Sequence, residues 1–245
     1  MCAMDKIDAT ELPPDYDPNA FEHPSVSVDV VALTARGKSL EVLLIQRSEK
    51  PYAGYWAVPG GFVGITEDLD AVAARKLREK TGVGEAAPFL EQLYTFGKVS
   101  RDPRHRVITV AYYALLPAPE SGLPNAPADA PVAGANAAQA RWFDVNELPP
   151  LAFDHAEILQ MAIARLQAKL GYTSVAYALL PEEFTLTDLQ TTYETILARV
   201  LDKRNFRKKM LSLDILEATG KERRLGAHRP AQLFRWTKRE PVFLP

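Results

Sequence analysis

Cys2 is the only cysteine among 245 residues, which excludes an intrachain disulfide and a thiolate metal cluster. No run approaches the roughly 18 consecutive apolar residues that span a bilayer. The first 21 residues carry Asp5, Asp8, Glu11, Asp15 and Asp17 and lack the apolar stretch of a secretory leader. With an ordinary balance of 47% hydrophobic and 24% charged residues, these absences predict a globular cytoplasmic chain with no membrane partner. Its length suits one large domain or two small ones.

A net charge of −2 hides an asymmetry. Residues 1–150 hold 14 Lys and Arg against 20 Asp and Glu, and residues 151–245 hold 15 against 11. Within 199–239 the balance is 13 against 4, or +9. A basic segment on an acidic chain suits a polyanionic partner. Charge runs are also ordinary solvated faces, so motifs must decide.

After the acidic start, residues 26–33 and 40–46 are apolar and β-branched, with Gly37-Lys38-Ser39 as the turn of a hairpin. Pro59-Gly60-Gly61 interrupts the pattern. A helix is predicted over residues 68–81, where Leu69, Val72, Ala73 and Leu77 recur at three- and four-residue spacing. Strands are predicted at 89–96, 106–116 and 140–145, an order that indicates an α+β domain rather than a βαβ repeat. Residues 117–140, rich in Pro and Ala, read as a loop within it. Glu147-Leu148-Pro149-Pro150 marks the boundary, dividing the chain into an N-terminal segment (1–22), a first domain (23–150) and a second (151–245). Asp154 with Glu157 predicts a capping-box start for a helix running to about residue 170. His155 is read as a helix-entry residue and not as a catalyst.

The segment Gly61-Phe62-Val63-Gly64-Ile65-Thr66-Glu67, seven more residues, then Arg75-Lys76-Leu77-Arg78-Glu79-Lys80-Thr81-Gly82-Val83 resembles the Nudix box. That box reads G, five residues, E, seven residues, then R-E-U-x-E-E-x-G-U, with U aliphatic. Gly61, Glu67, Arg75, Leu77, Glu79, Gly82 and Val83 fall in register over twenty-three residues. Trp56-Ala57-Val58-Pro59-Gly60 before them is also typical of the family. The resemblance implies a Nudix fold, a mixed sheet with the Nudix helix. It also implies three helix glutamates, at i, i+3 and i+4, holding a divalent metal against a diphosphate. Here those positions are Lys76, Glu79 and Lys80. A Mg²⁺ site loses two oxygen donors and gains two cations, whereas metal-assisted hydrolysis needs the metal to polarise phosphate and activate water. The expectation is no catalytic residue, no metal and no cofactor, with Glu79 an ion-pair partner of Arg75 or Lys76.

Such a box can still bind. Lysines near a phosphate site favour an anionic ligand. Arg101-Asp102-Pro103-Arg104 resembles the loop of Nudix enzymes that act on ADP-ribose, although Asp-Pro is also an ordinary turn former. Arg47 could add a phosphate contact and Trp56 an aromatic wall. The candidate ligand-binding set is Arg47, Trp56, Gly60, Gly61, Glu79, Arg101 and Arg104.

The remaining residues follow a second plan. Thr185-Leu186-Thr187-Asp188 predicts a capped helix start, with Leu189, Tyr193, Ile196 and Leu197 as the apolar face. After a break at Val200-Leu201-Asp202, a short basic helix is predicted over 203–212. Phe206, Met210 and Leu213 face inward, which turns Lys203, Arg204, Arg207 and Lys208 outward. Residues 215–219, Gly220, the basic tip Lys221-Glu222-Arg223-Arg224, Gly226 and residues 231–236 read as a β-hairpin wing. Two helices at a tight turn followed by a wing make a winged helix-turn-helix, whose second helix enters the major groove. Arginine can take guanine bidentately, Asn205 can pair with adenine and lysines neutralise phosphates. The candidate DNA-binding set is Lys203, Arg204, Asn205, Arg207, Lys208, Lys221, Arg223, Arg224 and Arg229. Each alone also suits a solvated surface.

Both halves together resemble the Nudix-related transcriptional regulators (NrtR-type) of bacterial NAD metabolism. Leu151-Ala152-Phe153-Asp154-His155, Leu180-Pro181, Phe184-Thr185-Leu186, Arg204-Asn205-Phe206-Arg207-Lys208 and Arg229-Pro230-Ala231 carry that likeness. It implies a homodimer on a palindromic operator, an ADP-ribose-like effector and repression of NAD genes. Related regulators respond to sugars. The alternatives are an active ADP-ribose or nucleoside-diphosphate hydrolase with an appended module, and an adaptor whose Nudix fold serves only to dimerise.

Overall fold

The computed structural model describes residues 15–17, 19–81, 87, 89–118, 137–224 and 230–244, apart from the side chains of residues 80 and 81. Lys80's side chain, Gly82, Val83, most of the Pro/Ala-rich loop, Gly226 and Arg229 lie outside that description.

β1 (Ser25–Arg36) is the spine of the first unit. Val28, Val30 and Ala32 enter one apolar cluster while Val31 and Leu33 enter another, the period of two expected of a strand buried on both faces. β2 (Ser39–Arg47) returns antiparallel through Gly37, whose φ of +60° is a conformation glycine adopts without a Cβ penalty. On the opposite edge β6 (Val107–Leu115) runs parallel to β1, and β5 (Phe89–Phe96) closes that side antiparallel to β6. β3 (Trp56–Ala57) and β7 (Ala137–Asp144) both pair with β2, and β4 (Gly60–Phe62) pairs with β1. The sheet is mixed, as the Nudix resemblance implies.

α1 (Leu69–Thr81) covers one face through Val72, Ala73 and Leu77. α2 (His155–Lys169) covers the other through Ile158, Leu159, Ala162 and Leu166. The expected capping box at its start does not form, because Asp154 makes no side-chain cap bond. Its carboxylate instead accepts from Arg101 Nε and a terminal guanidinium nitrogen at 2.9 and 2.7 Å. A charge-assisted bidentate pair is roughly twice as strong as a neutral bond.

A 3₁₀ turn (Val175–Leu179) leads to β8 (Phe184–Thr185) and then to α3 (Leu186–Leu197). Here the predicted cap is real. Thr185 Oγ1 accepts from Asp188 N at 3.1 Å, and an Asp188 carboxylate oxygen accepts from Thr185 N at 2.8 Å. α3 stops at left-handed Ala198, and α4 (Lys203–Ser212) starts at Asp202, whose carboxylate accepts from Asn205 N at 2.8 Å. β9 (Leu216–Arg223) and β10 (Ala231–Trp236) form the wing, and β8 adds a third strand to it. β9 runs through Gly220, so Lys221 and Arg223 stand on the strand rather than on a tip.

The two units share a core. The cluster that begins with Val31, Leu33, Val42 and Leu44 continues through α2 to Leu189, Tyr193, Phe206, Met210 and Trp236. Among the described residues no helix is long and apolar enough to cross a membrane.

Candidate functional site

β1's outer edge is divided: Ser27–Asp29 pair with β4, Leu33–Arg36 with β2. A cleft of about 380 Å³ lies at that division, lined by Asp29, Arg47, Gly60, Gly61, Lys76 and Arg104 among others. A Cβ on Gly60 would stand 2.2 Å from an Asp29 carboxylate oxygen and 2.6 Å from Val28 O, so only glycine fits there. One on Gly61 would meet Lys76 Cε at 3.0 Å. The Lys76 side chain therefore lies across the Gly61 backbone, one wall of the cleft.

Arg47 and Arg104 both face the cleft. Arg47 Nε donates to Pro51 O at 2.9 Å, while burial and then the nearby Arg104 guanidinium pull its pKa below the usual arginine value. Arg104 donates to both Asp102 carboxylate oxygens at 2.9 and 2.7 Å, which raises its pKa. Arg101 also reaches the cleft, but it is 8% exposed and bound to Asp154, with Asp29 3.3 Å away. Burial acts to lower its pKa, and the two carboxylates outweigh that and raise it. Its role here is to tie β1 to the start of α2. Two candidates stand outside the cleft lining. Pairing of β3 with β2 sets Trp56 edge-on to Phe143 in the core, ring centroids 4.6 Å apart. Glu79 is engaged by Arg75 at 2.9 Å and Lys76 at 3.4 Å.

Sequence reasoning assigned no site role to residues 153–155, yet Phe153 and His155 line the cleft. The string Leu151-Ala152-Phe153-Asp154-His155 was visible as a junction motif, but only the fold places it against β1. His155 Nδ1 accepts from Val58 N at 3.1 Å, and its Nε2 lies 3.8 Å from Asp29. Burial pushes its pKa below the ordinary imidazole value, against the pull of Asp29 and Asp154. The ring is neutral near pH 7 and serves as an acceptor.

On the second unit Lys203, Arg204, Asn205 and Lys208 are exposed along α4. Arg207 departs from the outward reading: it is half-buried and donates to Thr187 Oγ1 at 3.1 Å, because Thr187 in the first turn of α3 lies within its reach. On the wing, Lys221 meets Glu183 at 2.8 Å and Arg223 pairs with Asp188, while Arg224 is exposed. Arg207 of α4 and Arg223 of the wing both reach the first turn of α3, at Thr187 and Asp188, and Lys221 and Arg223 already have carboxylate partners.

Residues 23–162 match the NUDIX domain family and residues 176–236 the NrtR DNA-binding winged helix domain. The first match takes in the opening turns of α2. The chain is 38% identical over 234 residues to the ADPR responsive transcriptional repressor NtrR of Acinetobacter baylyi, covering 93% of this chain and 88% of that protein. The crystal structure of Shewanella oneidensis NrtR complexed with a 27mer DNA superposes with a TM-score of 0.73 at 35% identity, over 86% of this chain and 93% of that one. The NUDIX domain of the same protein complexed with ADP ribose gives 0.53 at 38% identity, over 62% of this chain and 94% of that one. A sheet whose divided edge makes a cationic cleft, joined through α2 to a winged helix, is thus matched along nearly the whole chain, and the protein belongs to the NrtR-type family of Nudix-related transcriptional regulators.

Proposed function

We propose that this protein is a dimeric repressor of genes for NAD synthesis or salvage, that it binds palindromic operator DNA, and that ADP-ribose in the cleft releases it without being hydrolysed. The observation that carries this reading is the cation set of the cleft. Arg47, Arg104 and Lys76 line it, and Lys76 stands where the Nudix helix would otherwise offer a carboxylate. A diphosphate would be held by these charges directly.

The residues present do not fit a divalent metal. Glu79, the one carboxylate left of the three helix positions, is paired with Arg75 and Lys76, and Glu67 is paired with Arg75. Among the described residues no three His, Cys, Asp or Glu side chains gather as a metal site.

The test is a gel-shift on duplexes from upstream of the protein's own and neighbouring genes, with and without ADP-ribose. The expected outcome is a specific complex weakened roughly 5–150-fold by saturating ligand, the usual span of allosteric coupling. Chromatography of the same mixtures with Mg²⁺ should recover ADP-ribose intact. Turnover in the common enzyme range of roughly 1–10³ s⁻¹ would overturn the non-hydrolytic reading.

A further inference from the structure

One wall of the cleft comes from the first residues beyond the domain boundary. Trp56 N donates to Pro150 O at 3.0 Å, Ala152 N donates to Trp56 O at 2.8 Å, and a parallel bridge pairs Trp56 with Leu151. The chain then turns at Phe153, whose φ of +54° lies in the left-handed region that disfavours a residue with a Cβ. Its ring is gripped from several sides. Arg47 Cζ lies 5.0 Å from the ring centroid, Arg104 Cζ 5.9 Å, and Tyr52 packs edge-on at 4.7 Å. One residue later Asp154 takes Arg101, and α2 begins.

We propose that Phe153 is the residue through which a ligand in the cleft governs the DNA-binding unit. Its ring packs against both Arg47 and Arg104, the two guanidinium groups that a bridging diphosphate would engage, and its displacement re-aims α2. This rests on the reading that the cleft binds ADP-ribose.

A phosphate shared by two guanidinium groups in charge-assisted hydrogen bonds has to approach both, and the ring already contacts both. The phosphate prevails, because a cation–π contact at a partly exposed site is the weaker partner. With the ring displaced, residue 153 loses the contacts that hold it left-handed, and its relaxation turns the peptide that leads to Asp154. Arg101 still bridges Asp154 to Asp29, so the movement is a pivot about that clamp. α2 is 15 residues long, at about 1.5 Å rise per residue, and near its far end Gln167 Nε2 donates to Ile196 O of α3 at 2.9 Å. A small tilt at the first turn therefore becomes a larger displacement at the helix-turn-helix.

The test compares the full-length parent with Phe153→Leu and Phe153→Gly. Labelled operator is followed by anisotropy and ADP-ribose binding by calorimetry. Leucine keeps apolar bulk without a π face, and glycine accepts the positive φ without strain. Neither variant has a ring to hold residue 153 in place, so operator affinity without ligand should fall toward that of the ligand-bound parent. ADP-ribose should bind about 2–5-fold more tightly, because no ring competes for the guanidinium groups. Operator affinity should then be the same with and without ADP-ribose, whereas Phe153→Tyr, which keeps the ring, should respond as the parent does. A ring that merely lines the site would give the reverse, weaker ADP-ribose binding with the response preserved in the bound fraction, and that result overturns the proposal. So does a parent-like response in both variants. Should leucine disturb folding, the glycine variant decides alone. Absence of any ADP-ribose effect on the parent overturns the effector reading itself, and is distinguishable because it needs no variant.

Discussion

At the scale of single residues, the cleft contains a buried polar network whose members each satisfy another. His155 accepts the Val58 amide, Asp29 faces both His155 and Arg101, and Arg101 is bidentate to Asp154. Because burial depresses the pKa of His155 in the folded chain, the unfolded chain takes up its proton first. Stability carried by the neutral ring is complete above the unfolded value of about 6.5 and falls as pH drops through it. Urea midpoints measured from about pH 7.5 to 5.5 should decline for the parent, with this one group contributing at most about 1.4 kcal/mol per pH unit. His155→Gln, whose amide oxygen can still accept from Val58, should show a shallower decline. Equal slopes would mean that His155 does not set the acid limit. None of this network is legible in sequence order, since Asp29, Arg101 and Asp154 are joined only when β1, the loop after β5 and the start of α2 converge.

At the scale of elements, α4 and the wing carry the contacts expected with DNA. Arg204 is exposed and free to reach a base edge, so Arg204→Ala should cost about 1–3 kcal/mol of operator binding and relax base preference. Lys221→Ala should weaken all duplexes more evenly and flatten the salt dependence, as loss of a phosphate contact does. The Lys221 effect should be the smaller of the two, because DNA must first displace Glu183 from that ammonium. Fluorescence titrations on operator and scrambled duplexes at several salt concentrations separate the two behaviours; identical profiles for both variants and the parent would remove α4 as the reading helix. The limits of α4 and the α3 cap were legible because both rest on local chemistry, periodicity and an N-terminal oxygen donor set. Arg207 was misread as outward for a different reason. Helical spacing places a side chain on a face, but it does not say that Thr187 of another helix waits there.

At the scale of the whole molecule, α2 belongs to the cores of both units. Ile158, Leu159, Leu166 and Leu170 are all at most 3% exposed, in a cluster that includes Val31 and Leu33 on one side and Tyr193 and Ile196 on the other. Burying each such side chain contributes about 1.5–3 kcal/mol, against a total stability of about 5–15 kcal/mol for a typical domain. A chain ending at residue 150 should therefore lack a cooperative thermal transition, while one ending after α2, near residue 172, should unfold cooperatively. Calorimetry of the two truncations checks this, and a sharp transition in the shorter one would restore the boundary at Pro150. The same sharing packs the two units into one core through α2.

The order of residues alone determined the architecture here: period-two strands, a helix in Nudix register with lysines at two carboxylate positions, and a capped basic helix followed by a wing. Those features are short-range, so spacing and residue chemistry suffice to read them. Tertiary structure decided which of the named residues form the site. Arg47 and Arg104 meet only because β2 and the loop before β6 flank the divided edge of β1. Trp56 and Glu79 fall outside the lining, and Phe153 enters it from beyond the apparent domain boundary. A cleft is defined by distances between residues about a hundred positions apart in the chain, and such distances are fixed by packing of the shared core, which no local pattern records.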